Sequence, residues 1–357
     1  MMVRSIKWLS YSFISIIIII LAISIFNYKT DSLGIFGNSN YLSKAARTLT
    51  NGQMISGLRN YDERLFQELI IKNLHVKNDV IAIGSSRTMQ LRKRFFVDKE
   101  TNYFNHSVSG ASIEDYISII GAYELIGGYL PSTIVLGIDP WIFNENNAQT
   151  RWKTLIKYYN YEIQKIYNKE NLKVDNLNIT KWKQLFNYDY TVSNIKFFKS
   201  YIENSNNQFK VVNTIETDDS IKEADGSIHY PYKTRNISSL EVQKLAISYT
   251  KGEVYSLERF THLSNTELLE SLIKYLKSKN IKIILFLPPY NPLSYDIIIK
   301  NKKYKFIDIA EDYLISLATK NDLEIKGSYN PNKYKLLNKD FTDGMHSRAS
   351  VVRNLFK

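Results

Sequence analysis

Cysteine is missing from the chain altogether, which excludes disulfides and thiolate chemistry. Histidine is scarce, with five copies in 357 residues. Four of them, His75, His106, His229 and His262, show no ligand spacing, so no metal site is expected, and no motif calls for a cofactor. Acidic residues are outnumbered, 35 against 47 lysines and arginines, for a net charge of +12. That balance favours an acidic partner: nucleic acid, anionic lipid headgroups or an anionic surface polymer. The lysines are spread rather than blocked, and a solvated basic surface accounts for them equally well. Internal repeats are absent. Hydrophobic residues, at 44%, suffice for a packed core.

Only one apolar run is long enough to cross a membrane. From Trp8 to Phe26 the chain reads "WLSYSFISIIIIILAISIF" without a charge. At about 1.5 Å per residue this just spans a hydrocarbon core of roughly 30 Å. A signal peptide has a shorter apolar region, and no small-x-small cleavage site follows Phe26, so the run reads as an uncleaved anchor. Arg4 and Lys7 precede it, and Lys29 and Asp31 follow. The positive-inside rule therefore puts residues 1–7 in the cytoplasm and everything after the 8–26 segment outside. A nucleic-acid partner would not be met there.

Residues 27–57 are polar and rich in Ser, Asn and Gly, as a stalk would be, so the folded domain is expected over 58–357. "YDERLFQELIIKNL" predicts a helix with Leu65, Leu69 and Ile70 on one face. "DVIAIGSS", "TNYFNHSVSG", "STIVLGID" and "IKIILFLPPYNP" read as buried strands stopped at turns, and "LEIKG" as a fifth. Between them stand the helical "SIEDYISIIGAYEL", "SNTELLESLIKYLKSKN" and "FIDIAEDYLISLATK". Ser264 and Glu267 have the spacing of a capping box. The alternation predicts an α/β core with a parallel sheet. It breaks over residues 144–260, a segment rich in aromatics and lysines that reads as an insertion on the core and a candidate lid. Its Trp152, Tyr158, Tyr159, Tyr161, Trp182, Tyr188 and Tyr190 are either core residues or platforms for sugar rings.

Reactive groups in such sheets gather at the carboxyl ends of strands. Four segments end there with small or polar residues: Gly84-Ser85-Ser86-Arg87, Ser109-Gly110, Gly137-Ile138-Asp139, and the late "FTDGMHSRAS". Ser86 sits at a strand-to-helix turn, inert at pH 7 unless a base takes its proton. His346 is a candidate base, with Asp343 to fix its tautomer. Taken singly, each has a plainer reading: Gly-Ser-Ser as a turn, Asp343 and His346 as a surface pair or half a metal site. His106 is either a packed residue or a second base.

Together, "IAIGSSR", "FNHSVSGAS", the Gly-x-Asp turn and "DGMH", in that order, resemble the SGNH (GDSL) hydrolase superfamily. The resemblance covers Asp79 to Asp139 and Ile281 to His346. It implies a flavodoxin-like three-layer α/β/α sandwich, with Ser86 as nucleophile, His346 and Asp343 completing the triad, and the N–H groups of Ser86 and Gly110 in the oxyanion hole. The anchor, the Gly-Ser-Ser-Arg form and "PPYNP" are similar to anchored proteins of cell-envelope polysaccharide modification: the alginate O-acetylation proteins and the D-alanyl-transfer protein of teichoic acids. One departure stands out. The family carries Asn, a third oxyanion donor, where this chain has Asp139, and an ionised carboxylate cannot donate. Asp139 is then either protonated or paired with Arg87 as a site-shaping salt bridge; the plainer reading of Arg87 is a cap on surface carbonyls.

The resemblance implies a single-pass protein of the bacterial cell membrane, an O-acetyltransferase or acetylesterase acting on a cell-surface polysaccharide, with a membrane-bound O-acyltransferase as partner. A non-catalytic scaffold or polysaccharide-binding component is the alternative, and Asp139 is the residue that favours it.

Overall fold

The computed structural model describes residues 2–31, 36, 40–58, 61–95, 100–147, 149–169, 182–203 and 209–357. A long helix, α1 (Met2–Thr30), is followed by α2 (Asn40–Thr50), strand β1 (Met54–Ser56) and α3 (Glu63–Lys72). Next come β2 (Val80–Ile83), β3 (Tyr103–Asn105), α4 (Ile113–Ala122) and β4 (Thr133–Gly137). The middle of the chain supplies α5 (Ile156–Tyr167), α6 (Tyr188–Glu203), β5 (Lys210–Val212), β6 (Ile221–Lys222), β7 (Ile228–His229), α7 (Tyr232–Arg235) and α8 (Ser239–Tyr249). Then follow α9 (Thr266–Ser278), β8 (Lys282–Leu287), α10 (Pro292–Ile299), α11 (Phe306–Asn321), β9 (Glu324–Gly327) and α12 (Ala349–Leu355).

The five apolar runs expected as strands pair in parallel, in the order β3-β2-β4-β8-β9. Ile81 lies level with Ile134, and Ile134 with Ile283. Because side chains alternate across a strand, these three face one core with Ile83, Leu136 and Leu285. Ala82, Val135 and Ile284 face the other. Helices α4, α9 and α11 cover the first face, and α12 with Leu91 and Phe95 covers the second. Burial on both sides is why the runs are continuously apolar rather than alternating. From β2 the chain turns to one side for β3 and then crosses to the other for β4. The crevice this reversal opens lies at the carboxyl ends of β2 and β4.

A second, antiparallel sheet has the order β5-β1-β6-β7. It corrects two expectations. Residues 40–57 are not stalk: Leu42, Ala45, Ala46 and Leu49 are buried on α2, and β1 is the sheet's second strand. The folded unit therefore begins before residue 58. Nor is 144–260 a separate addition, since β5, β6 and β7 pair around β1, and Val254, Leu257 and Phe260 belong to the main core. Residues 170–181 and 204–208 of that segment lie outside the described residues. Helix α3 buries Phe66 and Ile70 most deeply, with Leu65 and Leu69 only partly covered.

The expected capping box at α9 does not form. Its N-cap is Asn265, with no side-chain cap bond. Ser264 Oγ instead donates to the Phe143 carbonyl at 2.6 Å, and Asn265 Nδ2 to that of Ile142 at 2.8 Å. Both side chains are spent tying α9 to the segment after β4. The apolar N-terminal helix extends past the expected run: Lys7–Thr30 is long and apolar enough to cross a membrane.

One buried acid sets a pH dependence. Helices α4 and α5 approach so closely that a Cβ on Gly121 would lie 2.9 Å from the Cβ of Glu162. Glu162 is fully buried beside the Glu124 carboxylate. Burial, with the Glu124 carboxylate adding to it, pushes Glu162 up to about 9. Between the ordinary value of 4.5 and 9, the unfolded chain has released this proton while the folded protein keeps it. Stability therefore falls as pH rises across that window. Thermal melts between pH 5 and pH 9 should show Glu162→Gln losing less Tm than the wild type; parallel losses would contradict the assignment.

Candidate active site

After β2 the chain turns sharply through Gly84-Ser85-Ser86-Arg87-Thr88. A side chain at Gly84 would collide with Thr88, and the Gly137 carbonyl stands 3.0 Å from where its Cβ would be. Ser85 points inward and holds the turn. Its carbonyl accepts from the Thr88 amide at 2.9 Å and its hydroxyl from the Arg87 amide at 3.1 Å. Ser86 is left facing outward, half-buried. The expected helix does not start here; turns occupy 86–90, followed by a short 3-10 segment at Lys93–Phe95.

The late loop reaches Ser86 from 260 residues away. Its base is closed by the Thr342 amide on the His346 carbonyl at 2.9 Å. Asp343 Oδ1 accepts from the amides of Met345 and His346, each at 2.8 Å, which fixes the carboxylate. Its Oδ2 lies 2.7 Å from His346 Nδ1, and His346 Nε2 lies 2.8 Å from Ser86 Oγ. A carboxylate can only accept, so Nδ1 carries the proton and Nε2 presents its lone pair to the Ser86 hydroxyl. Burial alone would raise the Asp343 carboxyl. The His346 ring and the two amides outweigh it and hold the group below its ordinary value.

Arg87 binds the surroundings of this pair together. Nη1 is 2.7 Å from Asp139 Oδ1, with both side chains fully buried. Nε donates to the Met345 carbonyl at 3.0 Å and Nη2 to that of Pro288 at 2.5 Å. The guanidinium also lies 4.0 Å from the centroid of the Tyr290 ring. Burial pushes Asp139 up against the pull of Arg87, while Asp139 keeps the Arg87 guanidinium above its ordinary value despite burial. Asp139 stands where the family's oxyanion donor would be, and of its two expected states the geometry shows the pair: its Oδ1 accepts from Arg87. Arg87 caps carbonyls as well, but buried ones.

Gly110 lies in the loop from β3 to α4 at φ +54, and a Cβ there would collide with Tyr255 and Arg151. The Val108 amide ties this loop to the Ser86 turn through the Gly84 carbonyl at 2.9 Å. Helix α3 grips it from the other side. Glu63 accepts from the Ser109 amide, and from the Ser109 hydroxyl at 2.9 Å. Arg64 Nη2 donates to the Ser109 carbonyl at 3.1 Å while Nε and Nη2 hold Asp115 at 2.9 Å each. Gln149 donates to the Gly110 carbonyl at 3.2 Å and to Asp115 at 3.0 Å. None of these four side chains was foreseen, because adjacent charges at a helix start read as solvated.

Tyr230 was also missed. Its hydroxyl donates to the Ser86 carbonyl at 3.1 Å, and its ring stands edge-on to His346 at 5.8 Å. It comes from the middle segment, where no motif marks it. The aromatics that were singled out there lie otherwise. Tyr158 and Tyr190 are core, Trp152 packs on Tyr159, Tyr161 sits under Lys165, Trp182 stacks on Tyr28, and Tyr188 is exposed. His106 is fully buried between Gln67 Oε1 at 2.7 Å and the Tyr123 hydroxyl at 2.6 Å. Burial, with Lys222 adding to it, lowers it to about 3, so it is a neutral packed residue.

No protein-family model matches the chain, and no curated protein matches it in sequence.

Removing one member of a buried ion pair leaves the other charge uncompensated, at a cost of about 3–5 kcal/mol. Asp139→Asn should lose stability of that order in urea unfolding, and Arg87→Met/Asp139→Leu should recover most of it. Additive losses in the double variant would mean the two side chains do not act as a pair.

Proposed function

We propose that this chain is a membrane-anchored serine acyl-ester enzyme of the SGNH (GDSL) type, an O-acetyltransferase or acetylesterase acting on a cell-surface polysaccharide. The observation that carries the reading is the continuous run Ser86 Oγ, His346 Nε2, His346 Nδ1, Asp343 Oδ2, joined at 2.8 and 2.7 Å. The strand order β3-β2-β4-β8-β9 supports it, being the order of flavodoxin-like three-layer folds, with Ser86 and Asp139 at the switch point.

Ser86 Oγ attacks the acyl carbonyl carbon as its proton passes to His346 Nε2. The negative charge on the carbonyl oxygen is met by the N–H groups of Ser86 and Gly110. Collapse breaks the ester bond, and His346 returns the proton to the leaving alcohol. An acceptor hydroxyl then gives its proton to His346 and attacks the acyl-Ser86 carbonyl, and His346 returns that proton to Ser86 Oγ as the acyl–serine bond breaks. A sugar hydroxyl makes this transfer; water makes it hydrolysis. Asp343, held ionised, stabilises the imidazolium in both halves.

The Trp8–Phe26 run of α1 is the single anchor, with residues 1–7 cytoplasmic and the remainder extracytoplasmic. The +12 charge favours an anionic polymer near the membrane face, and a membrane-bound O-acyltransferase is the acyl source. Asp139 favours a second reading. With its Oδ1 paired to Arg87, Asp139 supplies no oxyanion donor, as a polysaccharide-binding scaffold would tolerate.

The full-length protein in detergent should turn over p-nitrophenyl acetate and label with a fluorophosphonate. Ser86→Ala and His346→Ala should abolish both, and Asp343→Asn should reduce kcat by roughly 10⁴-fold. A wild-type protein that neither labels nor turns over the ester would favour the scaffold.

A further inference from the structure

The apolar helix does not end free in solution. Asn27, fully buried near its carboxyl end, donates to the Leu185 carbonyl and to Thr191 Oγ1, both at 2.8 Å. Asn194 of α6, also fully buried, donates to Asn27 Oδ1 at 3.0 Å. One turn further on, Asp31 Oδ1 accepts from the Tyr190 hydroxyl at 2.8 Å. Phe26 meets Phe198 edge-on at 5.8 Å, and Tyr28 stacks on Trp182. Buried amides need partners, and these find theirs only with α1 and α6 in one arrangement.

That arrangement leaves apolar side chains uncovered. Trp182, Phe186, Tyr188, Ile195 and Phe198 are all exposed, Phe186 to 64% and Tyr188 to 79%. Phe198 and Trp182 adjoin α1 through Phe26 and Tyr28, beside which Ile25 is 59% accessible. Lys29, Lys183 and Lys196 stand exposed among them. Contiguous apolar surface of this kind marks an interaction site. Trp, Tyr and Phe beside lysines, next to the end of a hydrophobic span, is the composition of a membrane–water interface.

We propose that α6 and residues 182–187 before it form a lipid-binding shelf. It lies in the headgroup region of the bilayer that α1 crosses, with its aromatic side chains in the acyl boundary and its lysines on anionic phosphates. The proposal rests on α1 being the membrane anchor and is independent of the chemistry at Ser86. It replaces a swinging tether with a domain held at a fixed depth and angle.

The absence of cysteine makes the test direct. Single substitutions Phe186→Cys, Ile195→Cys, Val76→Cys and Ile18→Cys carry a nitroxide in the full-length protein. The protein is reconstituted into phosphatidylcholine vesicles containing phosphatidylglycerol, and power saturation compares collisions with oxygen and with a water-soluble nickel complex. Labels at 186 and 195 should show an oxygen preference several-fold above the label at 76 and below that at 18. The shelf is wrong if 186 and 195 match 76, or if both are shielded from oxygen and nickel alike, as under a protein partner. A water-exposed label at 18 would sink the anchor reading itself, and the shelf with it.

Discussion

Two charges with no exposure at all stand at the centre of this molecule. Burying the Arg87 guanidinium or the Asp139 carboxylate alone would cost several kcal/mol. Their 2.7 Å contact offsets that, helped by the Met345 and Pro288 carbonyls and the face of Tyr290. The partners lie 52, 201 and 258 residues along the chain from Arg87. One guanidinium thus fixes the ends of β2, β4 and β8 and the late loop relative to one another. Ser86 directly precedes Arg87, and His346 directly follows Met345. The 2.8 Å approach of hydroxyl to imidazole follows from satisfying a buried cation.

The Gly110 loop is held on the same physical plan by a second arginine. Arg64, 2% exposed, is neutralised by Asp115 and spends a remaining N–H on the Ser109 carbonyl. Glu63 takes the Ser109 amide and hydroxyl, so all three polar groups of Ser109 are occupied. A glycine with positive φ is free to move by its own torsions. Here its neighbour has no alternative hydrogen bonds to turn to, and Gln149 holds its own carbonyl. Preorganisation of this sort is what an oxyanion site needs, because a donor that must reorient contributes less.

Much of the scaffold was legible because the β2, β4 and β8 runs are buried on both faces, a state only continuous apolar sequence satisfies. The D-x-x-H pair was legible because its members bond within one loop. Other parts hid for specific reasons. In "NYLSKAARTLT" the buried set Leu42, Ala45, Ala46 and Leu49 has helical spacing, but the small residues and polar flanks gave it the composition of a linker. Strands β1 and β5 have three residues, and β6 and β7 two, so their pairing is a tertiary outcome that local propensity does not encode. Asp139 was legible as a departure because its charge needed a partner, and Arg87 was the nearest cation to a strand end.

The middle segment joins what the sequence reading kept apart. Its α6 holds Asn27 of α1, and its Tyr230 reaches the Ser86 carbonyl. Further along, Arg348 beside α12 donates to the Arg235 and Ile237 carbonyls, and a Cβ on Gly344 would strike Tyr249 of α8. An insertion acting only as a lid would meet the core at its rim and open without disturbing it. This one supplies three strands to the sheet that contains β1 and six buried residues to the main core, so moving it as a body would break backbone pairing. Motion near Ser86 is therefore restricted to side chains and short turns around Tyr230. One stretch of chain therefore sets both the packing of α1 and the surroundings of Ser86.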